Sequence, residues 1–194
     1  LLDKGEALRH ARRAYELAPE REGAVAHLEE AARAADQWED FATVVEARLA
    51  SSDAGLGERR LLKERLAHVY ASELGRMEDA IGLYRSLAEK PDADERLLLG
   101  VDKVFRGAER LEDLRWLFEL RIARAADVEG RVELLAEWAS LEEEVFGEAP
   151  RAVALYRRLL EAAPRHGVAL RALGRLLKAA GDAAGAVEIL ERDR

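Results

Sequence analysis

Cysteine and asparagine are absent from this 194-residue chain, threonine occurs once, as Thr43, and proline four times. Without cysteine there is neither a disulfide framework nor a thiolate metal site. The shortage of β-branched and turn residues speaks against a β-rich fold. No run of about 18 apolar residues exists, so no membrane-spanning helix is expected. Basic residues are outnumbered, 31 Lys and Arg against 39 Asp and Glu, for a net charge of −8. That balance is the wrong sign for bulk neutralisation of nucleic-acid phosphates. The four histidines, His10, His27, His68 and His166, include no metal pair on one helical face and no HExxH. Gly55-Leu56-Gly57 leads to Glu and Arg rather than to a phosphate-binding Gly-Lys, and no serine sits in a Gly-x-Ser-x-Gly turn. Catalysis, a metal and a cofactor are therefore not expected.

What the chain does have is helix formers. Ala, Leu, Glu and Arg dominate, and charged residues make up 36%. They recur with a period of 72 or 73 residues. Trp38, Phe41, Val44, Val45, Glu46, Arg48 and Leu49 find counterparts one period later in Leu111, Leu114, Leu117, Phe118, Glu119, Arg121 and Ile122. Ala67, Gly75, Ala80, Tyr84 and Leu87 return as Ala139, Gly147, Ala152, Tyr156 and Leu159, and Pro19, Pro91 and Pro164 keep the same time. Several sets in one register, with residue class kept, indicate a repeat array. Half the period is one helix–turn–helix unit, so each long period holds two unlike hairpins. Apolar spacings of three and four, as in Leu134, Trp138, Leu141 and Val145, place helices at 4–18, 22–35, 38–52, 58–74, 77–90, 93–107, 110–126, 129–146, 148–162, 166–180 and 182–192. Gly75, Gly147 and Gly181 suit left-handed helix ends, Asp182 a helix start, and Pro150 a first turn. Residues 51–57 are the most loop-like segment. The chain thus reads as all-α, one helical-repeat domain over 1–194, with about five and a half antiparallel hairpins.

The hairpins carry a small residue in the first helix, Gly at the turn, Ala in the second helix, an aromatic four residues on, and then Pro. Gly75, Ala80, Tyr84 and Pro91 have this pattern, as do Gly147, Ala152, Tyr156 and Pro164, and Gly174, Gly181 and Ala186 have part of it. In this the chain resembles the tetratricopeptide repeats. The resemblance implies a right-handed α-solenoid that binds proteins or peptides and does not catalyse. The alternate hairpins, around Trp38 and Leu111, lack the Pro and match less well. Some tetratricopeptide domains hold chaperone C-termini through Asn and Lys. With no Asn and five lysines, that activity is not implied here.

Function is expected on the surface. Positions turned outward from the first helix of each hairpin include Glu22, Glu29, Glu64, His68, Asp102, Arg106, Ser140 and Glu143, then Arg171, Arg175 and Lys178. The last three, at i, i+4 and i+7, share one helix face and would end an otherwise acidic groove with a basic stripe fit for an acidic peptide. Trp116 and Leu120, one turn apart and opposite the apolar face of their helix, are a candidate apolar contact. The run Glu142-Glu143-Glu144 reads as a solvated face, and Trp38, Tyr84, Trp138 and Tyr156 as core. The expected role is a protein- or peptide-binding scaffold without nucleic-acid or membrane contact. The rival readings are an RNA-binding helical repeat and a regulatory arm of an enzyme. The chain starts Leu1-Leu2-Asp3, without Met or a signal peptide. It is expected to be a piece of a longer bacterial-type protein, with the cytoplasm favoured as compartment and apolar surface uncovered on its first and last helices.

Overall fold

The computed structural model describes residues 3–191. Among them are eleven α-helices and no strand. They are α1 (Lys4–Leu17), α2 (Ala24–Ala35), α3 (Trp38–Ala50), α4 (Leu56–Ser72), α5 (Met77–Ala88), α6 (Glu95–Gly107), α7 (Leu111–Arg124), α8 (Val128–Glu144), α9 (Ala149–Ala162), α10 (Gly167–Ala179) and α11 (Ala183–Glu191). The sequence places all eleven within about two residues at each end. The repeat is visible in the bounds, because α4 and α8 are both 17 residues long and begin one period apart, at Leu56 and Val128. The expected final helix ran to residue 192, which lies outside the described residues. The loop expected over 51–57 ends at Gly55. There the Gly55 carbonyl accepts from the Arg59 N–H at 2.9 Å, so α4 starts at Leu56 and takes in Gly57.

Local chemistry explains the boundaries. Asp94, Asp127 and Asp182 accept the N–H groups of Leu97, Gly130 and Gly185 at 2.8, 2.8 and 2.9 Å, capping α6, α8 and α11. His166 caps α10 through Nδ1, 3.2 Å from the Ala169 nitrogen. Gly75, Gly147 and Gly181 have φ of 64°, 68° and 85°, the left-handed conformation expected of them. The less typical hairpins do the same without glycine. Asp36 and Glu109, one period apart, adopt φ of 54° and 53°. Behind them Gln37 N–H reaches the Ala32 carbonyl at 3.0 Å and Arg110 N–H the Phe105 carbonyl at 2.9 Å. These two turns carry no glycine signal, so sequence reading missed their geometry.

The chain divides into two compact units, Leu1–Leu97 and Leu98–Arg194. In the first, α4 and α5 pack closely where Ala67 and Ala80 are fully buried, and α1 packs closely on α2. Leu8, Ala11 and Tyr15 of α1 are consequently covered, while Ala14 and Leu17 stay exposed. In the second, α8 packs on α9 around buried Ala139 and Ala152, and α10 on α11 around Ala186. A bulky side chain at these alanines would pry the pairs apart. Phe118 of α7 stacks on Trp138 of α8 at 5.6 Å and 5° within the same core. On α11, Val187 and Leu190 are exposed.

Candidate functional site

Seven residues were singled out by sequence as partner-binding. His68 lies in the first unit, exposed near the end of α4, and its carbonyl accepts from Ser72 Oγ at 2.8 Å. The other six lie in the second. Arg171, Arg175 and Lys178 project from one side of α10 and are all exposed, while Ala169, Leu170, Leu173 and Leu177 bury its other side. Asp102 is mostly covered and pairs with Arg106 in the next turn at 2.5 and 3.1 Å. Trp116 and Leu120 are half-buried on α7, opposite the buried Leu114, Leu117, Phe118 and Ile122.

Many of the outward charges meet a partner one hairpin away. In the first unit, Glu29 of α2 pairs with Arg65 of α4, and Glu64 with Arg96 at 3.6 Å. In the second, Arg106 reaches Glu137 of α8 at 2.7 Å, and Glu143 of α8 pairs with Arg175 of α10. These pairs span 31 to 36 positions, about one hairpin of sequence. The acidic residues expected to face an open groove are thus largely engaged in tying successive hairpins together. Partly covered pairs of this sort are worth about 0.2–1 kcal/mol each, so they align the hairpins more than they stabilise them. Arg175 is tied down by Glu143, and Arg171 and Lys178 flank it.

The expectation of a solvated Glu142–Glu144 run needs correction. Glu142 is 0% exposed, Glu143 is mostly covered, and Glu144 alone is open to solvent. Arg115 of α7 grips the Glu142 carboxylate with Nε and Nη2, both at 2.7 Å, and Trp138 Nε1 donates to it at 2.9 Å. Arg115 also reaches Glu112 at 2.5 Å and lies over the Phe146 ring. Burial works to raise the Glu142 pKa, but hydrogen bonds from Arg115 and Trp138 prevail and hold it below the ordinary carboxylate range. The same bond with Glu142 raises the guanidinium pKa of Arg115. With its carboxylate satisfied on every side and closed to solvent, Glu142 serves packing. A run of three glutamates cannot reveal this, because only the partner one hairpin back, Arg115, distinguishes the buried member.

Among the described residues no three His, Asp or Glu side chains gather where they could hold a metal ion, and no helix is long and apolar enough to cross a membrane. All four tyrosines are buried.

No protein-family model matches the chain, and no curated protein matches it. Among solved structures it is similar to BtubC (BKLC) from P. vanneervenii, with 16% identity over 98% of this chain and 86% of that one and a TM-score of 0.44. It is also similar to a putative kinesin light chain with nearly identical TPR-like repeats from Podosopora anserina, with 17% identity over 100% and 96% and a TM-score of 0.44. The chain is an all-α helical repeat on its own 72–73-residue period, its small-residue helix contacts and its glycine turns.

Proposed function

We propose that this helical-repeat chain is a non-catalytic interaction scaffold that holds a protein or peptide on its polar surface. The observation that supports this best is helix α10. One side is sealed into the core through Leu170, Leu173 and Leu177, and the other presents Arg171, Arg175 and Lys178 to solvent. A firmly seated helix with cations at fixed spacing loses little entropy on binding, and it suits the carboxylates of an acidic segment. The chain's net charge of −8 favours such a local contact over a long polyanion, whose many phosphates the rest of the surface would repel.

The test is co-purification from the cells that make the protein, after nuclease treatment, for the native chain and for Arg171→Glu/Lys178→Glu. A protein partner retained by the native chain and lost with the double reversal supports the proposal. A partner retained equally by both, or material that vanishes on nuclease treatment, overturns it.

A further inference from the structure

In the first unit a cleft of about 430 Å³ opens between the N-terminal half of α4 and the C-terminal half of α5. Its walls include Leu56, Arg59, Lys63, Ser86, Leu87 and Lys90, with one carboxylate, Asp92, beside them. The charges on these walls are unevenly satisfied. Arg60, also on the wall, is neutralised by Glu64, Asp92 and Asp94 at 3.1, 3.4 and 3.2 Å. Arg59 spends its guanidinium on the Leu49 and Ser51 carbonyls at the end of α3, at 2.8 and 3.1 Å. Lys63 has only the neutral Ser86 hydroxyl, at 3.1 Å. Lys90 is exposed. Among the described residues no carboxylate pairs with Arg59, Lys63 or Lys90. Three cations without a carboxylate partner thus gather around this one cleft.

The cleft is also apolar in part. Leu87 is buried at its base, and Leu56 stands at the lip, 90% exposed. The repeat supplies a comparison. One period later a cleft of about 460 Å³ is lined by Arg131, Leu135 and Arg158, at the positions of Arg59, Lys63 and Ser86. There Leu135 replaces Lys63, Arg158 is held by Glu119 at 2.8 Å, Ala162 replaces Lys90, and Glu161 joins the wall. The architecture makes the cleft in both units, and the first carries the larger set of cations without a carboxylate partner, Arg59, Lys63 and Lys90 against Arg131 alone.

We infer that the α4–α5 cleft is a docking site for an acidic peptide segment, whose carboxylates meet Lys63 and Lys90 while an apolar side chain covers Leu56 and Leu87. Charge complementarity selects the carboxylates, and the leucines select a peptide over a bare anion. The volume admits a few side chains rather than a folded domain. The site is separate from α10 and rests on the proposed scaffold role only in taking a peptide as occupant.

The experiment is fluorescence polarisation on the whole chain. The probe is a labelled eight-residue peptide of alternating Glu and Leu, with a Lys/Leu peptide and inorganic phosphate as competitors. The inference expects saturable, salt-sensitive binding of the Glu/Leu peptide that neither competitor displaces. Lys63→Gln/Lys90→Gln should weaken it at least tenfold, Leu56→Ser severalfold, and Arg131→Gln in the second cleft not at all. Both lysine changes leave Arg59 capping α3, and circular dichroism checks that each variant is folded. Failure of the peptide to bind, displacement by phosphate, or equal binding by the double-lysine variant overturns the inference. Loss with Arg171→Glu/Lys178→Glu instead would move the peptide to α10, sparing the scaffold proposal while removing this site.

Discussion

Replacing Arg115 by Ala and Glu142 by Tyr, singly and together, probes how the two units solve the same packing problem. Counting back one period, Arg115 corresponds to Ala42 and Glu142 to Tyr70, both buried in the first unit. There the Tyr70 hydroxyl bonds Glu46, and the Arg76 guanidinium lies 4.1 Å over its ring. Thus one unit fills the space between its α3-type and α4-type helices with a tyrosine and an alanine, the other with a bidentate ion pair. Removing one member of a buried pair leaves an uncompensated charge, which costs about 3–5 kcal/mol. Arg115→Ala should therefore lower the melting temperature by roughly 6–20 °C at this chain length, and Glu142→Tyr similarly. The double substitution copies the first unit's arrangement, and Glu119 stands one period from Glu46, placed to accept from the introduced hydroxyl. Its cost should fall to about 1.5 kcal/mol or less, since buried pairs give way to well-packed residues at little loss. Urea titrations followed by far-ultraviolet circular dichroism supply the four corners of the cycle. Additive losses, with no coupling between the two sites, would refute the reasoning.

Four further outcomes follow from the geometry. Glu109→Gly should stabilise by about 1 kcal/mol, because φ of 53° strains any residue with a Cβ, and thermal melting reads it directly. Ala152→Leu should destabilise by at least about 1–3 kcal/mol by wedging α8 from α9, measured by urea titration. Burial raises the phenols of Tyr15, Tyr84 and Tyr156 to about 12, so phenolate absorbance should stay low as pH passes about 10. Because the folded state favours the neutral phenol, that stabilisation is whole below about pH 10 and drains away as pH climbs toward 12. Hydrogen bonds from Arg48 hold Glu58 below the ordinary range, and those of Arg115 and Trp138 do the same for Glu142. Their contribution is complete above about pH 5 and is lost as pH falls through the folded-state values, so Glu58→Gln should flatten the acid limb of a stability-versus-pH curve.

Helix positions were legible in the sequence because strong helix formers fill them, because α1, α2, α5, α6, α9 and α10 are clearly amphipathic, and because glycine or a capping aspartate punctuates most turns. Gly75, Gly147, Gly181 and Asp182 do what their types suggest. Asp36 and Glu109 were invisible, since a left-handed acidic residue has no distinctive neighbours. Charge was the hardest to read. A glutamate on a helix looks solvated until its partner one hairpin away is known, so the sequence alone places Glu142 on the surface and Glu29 and Glu143 in an open groove. Opposite charges about 31 to 36 positions apart were the available signal. For Lys63 and Lys90 the signal was the lack of such a partner, which only the assembled cleft makes apparent.

The central claim, that the polar surface holds a protein, is tested most directly by photo-crosslinking in the native cells. A photoreactive amino acid is placed at position 171, 178 or 63, with position 144 on α8 as an exposed control. The account predicts adducts to a discrete protein from the first three positions, resistant to nuclease and absent from the control. Adducts made of RNA, or none distinguishable from the control at any position, would contradict it.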